Sequence, residues 1–578
     1  MSDQRLNPHL DTPYRNAWRR LRGTMVTVAL FSACVNILML TGPMFMLQVY
    51  DRVLSSGSVA TLQGLFLIVV VLFMFLGLYD FLRTRALSRA GLRLDQEVGQ
   101  ETHELWVRSA LMPGGETSRP LNDLAVVRGF LPSPAMLGLF DTPWIPFYLG
   151  VVFLIHPWLG MLAIAGVGVV TVVALLNQLT TKDYHAQAMR MDGAESHFVD
   201  QSRRNAEAIV PLGMAGRITG RWSDMHREGL AVGQTGSDRA EGYAAFSKSF
   251  RLLLQSALLG LGGYLALQQE ISAGMIVAAS IIAGRALAPV DAVIGQWRSI
   301  VRMREAHKRL KALFDGQAAK RPTVDLPPPE GHLHVSGVTK FAPMAERGER
   351  PPILDEVSFY LAPGDAVGVI GPSASGKSTL ARILVGAWVP DAGTVRLDGA
   401  TLDQWAETAL GKHIGYLPQN LELLAGTIRD NIARFDPQAD DGAVIEAAKI
   451  AGVHDMVLQL PDGYATRLSY ENPPLSGGQL QRIGLARAIF GMPRYVVLDE
   501  PNSNLDASGD DALSQAIVTL REAGSTVIVM AHRSSAIHAV NKVLVLHAGR
   551  VAEFGEKDKI LQTATRRRSP DTTPKQES

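Results

Sequence analysis

Nine consecutive residues, Gly371-Pro372-Ser373-Ala374-Ser375-Gly376-Lys377-Ser378-Thr379, carry the clearest chemistry in this chain. They follow Ala366-Val-Gly-Val-Ile370, an apolar run of strand character, and precede a helix-like stretch. The spacing is GxxxxGK[ST], a loop that binds phosphate. Gly371 and Gly376 let the backbone turn tightly, so that successive N–H groups point at phosphate oxygens. Lys377 is placed to reach the β- and γ-phosphates, and Ser378 offers its hydroxyl to Mg²⁺. The helix that begins here points its positive end at the same anion.

A second run, Tyr495-Val-Val-Leu-Asp499-Glu500, ends a buried strand in two adjacent acids. Alone it could be a strand running into a solvated acidic turn. Downstream of a phosphate loop, Asp499 is expected to hold the Mg²⁺ shell and Glu500 to polarise the attacking water. A third run, Leu475-Ser476-Gly477-Gly478-Gln479, opens a helix and makes a second anion site from a serine and two glycines. One ATP does not need two such sites from one chain. A second copy presenting Ser476 across an interface resolves the surplus.

That pentapeptide, in this context, resembles the signature of the ABC ATPases. The resemblance implies roles for three further segments. Gln419, in Gly415-Tyr-Leu-Pro-Gln419, corresponds to the glutamine that touches Mg²⁺ and water and senses the membrane domain. Ser503-Asn504-Leu505-Asp506 corresponds to the loop at the dimer interface, which places Asp506 with the nucleotide-binding residues. His532, in Val529-Met-Ala-His532-Arg533, corresponds to the histidine that contacts the γ-phosphate. Three departures stand out. Phe341 is the aromatic residue offered for adenine, and its register leaves stacking open. Leu480 replaces the usual basic residue after the signature. Ser469 to Pro474 lacks the usual glycines.

These motifs must be positioned by a chain of 578 residues, 47% hydrophobic and 19% charged, with mean hydropathy +0.10. That length requires more than one domain. The long apolar stretches all precede about residue 301 and give about six spans: Thr24 to Val49 and Val59 to Phe81, which are long enough alone to cross a bilayer, then the pairs Asp141 to Ile155 with Leu159 to Leu179 and Leu252 to Leu267 with Ile271 to about Ile294. Pro143 and Pro146 interrupt the start of the third. Basic residues cluster before the first span, after the second and fourth, and after the sixth, which predicts both termini in the cytoplasm. Residues 83–137 and 180–251 read as long helical extensions into the cytoplasm rather than a separate insertion. Arg285 and Asp291 lie in the sixth span, and Asp141 opens the third. Arg285 could face a polar pathway, pair with Asp291, or reach toward an interface. The one cysteine, Cys34, sits in an apolar run and reads as packing. The polar stretch Met1 to Arg22 does not read as a cleavable signal peptide.

The expected organisation is therefore a cytoplasmic N-terminal segment 1–23, a six-helix transmembrane domain 24–315, a proline-rich linker 316–331, an α/β P-loop ABC ATPase domain 332–562, and a disordered tail 563–578. Net charge is +1 and no basic, aromatic-interleaved patch occurs, so nucleic acid is not an expected partner.

Four membrane segments narrow the resemblance: Met46-Leu-Gln-Val-Tyr-Asp51-Arg52-Val-Leu54, Phe140-Asp-Thr-Pro-Trp144, Arg204-Asn-Ala-Glu207 and Ala283-Gly-Arg285-Ala-Leu-Ala-Pro289-Val. They resemble the type I secretion permease/ATPases, over nearly the whole chain. That resemblance implies an inner-membrane homodimer that hydrolyses ATP with Mg²⁺. It also implies a periplasmic adaptor protein, an outer-membrane channel, and an unfolded polypeptide substrate with a C-terminal signal. No peptidase-like domain precedes the first span, so leader-peptide processing is not expected. The competing reading is an exporter of lipid or small amphiphiles with the same architecture.

Overall fold

The computed structural model describes residues 12–111, 119–317, 326–342, 351–468, 475–531 and 537–560. His532, Pro343, Ser469 to Pro474, residues 318–325 of the expected linker and the expected tail lie outside the described residues. The chain forms two compact units that divide near Ala319.

The N-terminal unit is helical throughout its described residues, and six helical segments are long and apolar enough to cross a membrane: Pro13–Ser56, Val59–Ser109, Pro134–Ile155, Pro157–Arg204, Ala215–Leu267 and Ala273–Gly295. Three are far longer than the roughly 20 residues a bilayer needs: Val59–Ser109 has 51 residues, Pro157–Arg204 has 48 and Ala215–Leu267 has 53. They are single continuous helices, so the polar continuations expected after the second and fourth spans are extensions of those spans. The latter two pack along one another. At Gly166 an added Cβ would stand 2.2 Å from Leu254 Cδ2, so only glycine allows that approach.

The third span begins earlier than its hydropathy indicates. A helix Pro134–Asp141, a 3-10 turn Thr142–Trp144 and a helix Ile145–Ile155 run on from each other. Pro134, Pro143 and Pro146 each fall in the first turn of their own segment, where the missing N–H costs nothing. The segment before the first span is also structured. Helix Pro13–Arg20 buries Tyr14 and Ala17 on one face, against Leu94, Val98, Leu310 and Phe314. Tyr14 shares a 2.7 Å hydrogen bond with His307, and Arg15 pairs with Asp315 at 2.9 Å.

Polar side chains inside this unit are joined. Arg83, 5% exposed, bonds both carboxylate oxygens of Asp141 at 3.0 and 3.2 Å, and donates to Ser32 Oγ at 3.1 Å. Asn36 donates to Asp141 at 2.8 Å and accepts from Tyr148 at 2.9 Å. One buried network thus fastens the first three spans. Asp291 accepts from Ser247 at 3.0 Å and Arg251 at 2.9 Å, so its partner is on the preceding span and not Arg285. Six positions on a helix subtend about 240°, which puts Arg285 and Asp291 on different faces.

The C-terminal unit is α/β. We number its strands β1 (Leu333–Lys340), β2 (Leu354–Leu361), β3 (Ala366–Ile370), β4 (Ala392–Leu397), β5 (Ala400–Thr401), β6 (Ile414–Leu417), β7 (Gly426–Thr427), β8 (Arg467–Leu468), β9 (Tyr495–Asp499), β10 (Thr526–Met530), β11 (Lys542–His547) and β12 (Arg550–Glu556). The main sheet has the order β12-β11-β3-β10-β9-β6, parallel except for β12. A smaller antiparallel sheet has the order β2-β1-β4-β5. Strands β9 and β10 are buried along their whole length and β3 over all but its last residue. They read accordingly as unbroken apolar runs rather than alternating ones. Their pairing fixes the site: Met530 lies opposite both Val369 of β3 and Asp499 of β9, so the loops leaving these strands emerge side by side.

Candidate nucleotide site

Strand β3 delivers the chain into the loop Gly371 to Gly376, and helix Lys377–Leu384 leaves it. Two residues take the left-handed conformation, Ala374 at φ 64° and Gly376 at φ 100°. A Cβ at Gly371 would lie 2.2 Å from the Leu546 carbonyl oxygen, which explains glycine there. Lys377 Nζ donates back to the carbonyls of Gly371 and Pro372, at 2.9 and 3.0 Å, closing the loop into a ring. Burial lowers the Lys377 ammonium, opposed by the carboxylates of Glu500 and Asp499. Ser375 Oγ is buried in the loop without a hydrogen-bond partner, a donor left over for an incoming oxygen.

Four expected residues meet at the end of this loop. Ser378 Oγ lies 3.3 Å from Gln419 Oε1 and 3.3 Å from Asp499 Oδ1. The Gln419 amide donates to Glu500 Oε2 at 3.1 Å. Asp499 is the last residue of β9, and Gln419 follows β6, its neighbour in the sheet. Burial pushes the Asp499 carboxyl up, and the Glu500 charge adds to the rise, while the Ser378 hydrogen bond opposes both. Glu500 turns the chain at φ 52°, and its N–H bonds the Met530 carbonyl at 3.1 Å.

Ser476 caps the helix Gly477–Ile489 in a capping box: its hydroxyl accepts from Gln479 N at 3.4 Å, and Gln479 Oε1 accepts from Ser476 N at 2.8 Å. Gly477 and Gly478 form its first turn, both close to Asn504. Asp506 caps the helix Ala507–Glu522 through Gly509 N at 2.9 Å and pairs with Arg482. Pro372, Ser373 and Thr379 lie in the loop and first helical turn, Thr379 half-buried. Leu480 packs against the apolar core of this unit, which accounts for an apolar residue there. Phe341 follows β1, with its backbone N–H held by Asp391 at 2.9 Å.

Two residues not singled out by the sequence matter here. Gln481, buried inside the signature helix, donates to the carbonyls of Glu500 and Pro501 at 3.3 and 2.8 Å and accepts from Ser503 and Asn504. It anchors the turn that carries Glu500. Arg434 donates to the carbonyls of Gly411, Ile414, Arg487 and Ala488 at 2.7 to 3.0 Å, joining the start of β6 to the end of that helix. Burial pushes its guanidinium down to about 10. Gln481 follows two residues after the motif and was findable as a buried polar position on an apolar helix face. Arg434 carries no local signal.

A phosphate loop at the carboxyl end of a parallel sheet, with acids at the end of the next strand but one, preceded in the chain by six helical segments long and apolar enough to cross a membrane, defines an ABC transporter. The ABC transporter family profile matches residues 354–503. The type I secretion system ATP-binding protein PrsD of Rhizobium meliloti is 44% identical over 94% of this chain and 93% of its own length. The cyclolysin secretion/processing protein CyaB of Bordetella pertussis is 28% identical over 92% of this chain and 75% of its own, and the exotoxin translocation protein PaxB of Pasteurella aerogenes is 26% identical over 94% and 76%. A bacterial Atm1-family ABC exporter with ATP bound has the same fold, with TM-score 0.79 over 95% of this chain and 100% of that one, at 23% identity. The chain belongs to the type I secretion ATP-binding proteins of the ABC transporters. It is a multi-pass membrane protein, and its activity is ATP hydrolysis coupled to polypeptide export.

Proposed function

We propose that two copies of this chain work as a homodimer in the inner membrane, with both termini and the ATPase units cytoplasmic. Each of two ATP molecules lies between the loop Gly371 to Thr379 of one copy and Ser476 to Gln479 of the partner subunit, with Asp506 lining the interface. The observation that carries this reading is the convergence of Ser378, Gln419, Asp499 and Glu500 beside the loop. Ser378 Oγ, Gln419 Oε1 and Asp499 Oδ1 are hard oxygen donors within one shell, too few for a closed protein cage and suited to Mg²⁺ that keeps phosphate and water ligands. Bound there, Mg²⁺ would neutralise developing phosphate charge. Glu500 accepts the proton of the attacking water, and Gln419 orients that carboxylate. His532, by its place in the family pattern, contacts the γ-phosphate. Phe341 is the candidate for adenine contact.

Closure of the two ATPase units shifts the membrane helices only by the difference in ATP affinity between open and closed states. The exported chain is an unfolded polypeptide with a C-terminal signal, passed to a periplasmic adaptor and an outer-membrane channel. The basic residues after the second, fourth and sixth spans support the orientation. The test is deletion of the chain with comparison of proteins in the medium, complemented by the parental chain and by Glu500→Gln. Loss of a secreted protein, restored by the parental chain only, is expected. An unchanged medium under conditions of expression overturns the proposal.

A further inference from the structure

Arg285 stands 12 residues after the start and 10 before the end of the helix Ala273–Gly295. At about 1.5 Å per residue it lies about 18 and 15 Å from those ends, near the bilayer midplane. Its side chain is far shorter than either distance, so it does not reach an interface. It is exposed, and among the described residues it has no hydrogen bond and no ion pair. Asp291, the one acid of its helix, is held by Ser247 and Arg251, and Asp141 and Asp80 are held by Arg83. Pro289 has no N–H to give, so the carbonyl of Arg285, four residues earlier, lacks its usual helical donor. A guanidinium and a carbonyl freed at this depth cannot face hydrocarbon without heavy cost.

What surrounds Arg285 is a cavity of about 440 Å³ between the first, second and sixth spans, walled by Met39, Met46, Phe73, Leu76 and Ile281. Gly42 and Pro43 widen it on the first span. Such a site, apolar with one placed charge, is built to orient a ligand. Two methionines let its wall adapt to side chains of different shape. The single cation selects a carboxylate.

We propose that this cavity is a contact site for the exported polypeptide, holding a stretch in which a carboxylate flanks bulky apolar side chains. The inference rests on polypeptide export and names the segment chemistry that the path recognises. A phospholipid headgroup lies about 15 Å away, at the edge of the hydrocarbon. A second copy of the chain offers no free acid at this depth, because Asp80, Asp141 and Asp291 are all engaged.

The test uses the full-length purified protein in nanodiscs and two fluorescent 20-residue peptides of Leu, Phe and Ala, one with two Glu and one with two Gln in their places. Anisotropy should show the Glu peptide bound about tenfold more tightly by the parental protein, the scale of one hydrogen bond to a charged group. Arg285→Gln should remove the difference between peptides, and Arg285→Lys should restore part of it. Met46→Trp, which fills the cavity and keeps the guanidinium, should weaken both peptides. Equal binding of the two peptides by the parental protein, or an undiminished ratio in Arg285→Gln, overturns the site while leaving polypeptide export intact. Failure of both peptides to bind the parental protein also overturns it. The reading of polypeptide export itself falls only with the secretion experiment above.

Discussion

The side-chain amide of Gln419 hydrogen-bonds the carboxylate of Glu500 at 3.1 Å, tying the loop after β6 to the turn after β9. The contact orients the Glu500 carboxylate. Glu500→Gln keeps the shape and removes the base. ATP binding should persist while phosphate release slows by about 10² to 10⁴, the usual contribution of a positioned general base. Steady-state phosphate release measures this, and hydrolysis at the parental rate would remove Glu500 from the role.

The raised carboxyl of Asp499 makes a stability prediction with a definite sign. Its folded pKa lies above the unfolded value, so the folded state holds the proton over a pH range in which the unfolded state has lost it. The associated stability is present at low pH and is lost as pH rises through the folded value. At neutral pH the ionised group therefore destabilises the nucleotide-free unit. Asp499→Asn should raise the nucleotide-free Tm at pH 7 by a few degrees. It should also abolish the further rise that Mg²⁺ adds to ATP. Differential scanning fluorimetry with ATP and EDTA, or ATP and Mg²⁺, separates the two effects. A lower nucleotide-free Tm contradicts the burial argument.

Gln481 supports the Glu500 turn from beneath. Gln481→Leu preserves helix and volume but strips two carbonyls of their donor, at about 1 to 3 kcal/mol for each buried group left unsatisfied. The turn is also held in a left-handed conformation at Glu500, so a loosened support lets the carboxylate drift. The expected result is kcat reduced at least about tenfold with KM for ATP little changed. A raised KM at unchanged kcat would place Gln481 in nucleotide binding instead.

Contiguous features were legible in the sequence. The phosphate loop, the acidic end of β9 and the serine-glycine turn are each set by neighbouring residues, and the six spans by length and apolarity alone. The sheet then brings Ser378, Gln419 and Asp499 together from positions up to 121 residues apart. Pairings that depend on packing were not legible. The charges of the sixth span left a pairing of Arg285 with Asp291 open among other roles, and Asp291 binds Arg251 instead, 40 residues away on the neighbouring helix. Arg434 caps four carbonyls that only the folded sheet assembles. The third span starts at Pro134, ahead of the Asp141 at which its apolar run begins, and Pro134, Pro143 and Pro146 each sit in a first turn. His532 falls outside the described residues, so its place in the site still rests on sequence alone.

The Arg83–Asp141 pair makes the sharpest prediction for the membrane unit. Arg83 is nearly fully buried and Asp141 mostly so, with side-chain exposures of 6% and 17%. Arg83→Met leaves the buried Asp141 charge without its cation, which costs about 3 to 5 kcal/mol, whereas Asp141→Leu leaves Arg83 with the half-exposed Asp80 at 2.8 Å and costs less. Arg83→Met alone should therefore lower the Tm of the detergent-purified protein sharply, and Asp141→Leu alone should lower it by less. The double variant removes both charges and should recover more than half of the loss, because a buried ion pair is often no more stable than the apolar residues that replace it. Asn36 and Tyr148 keep their mutual hydrogen bond in the double variant, so the first and third spans remain joined. The double-mutant cycle gives the coupling directly. If the two single losses simply add, the pair is not coupled and the network does not fasten the first three spans as its geometry implies.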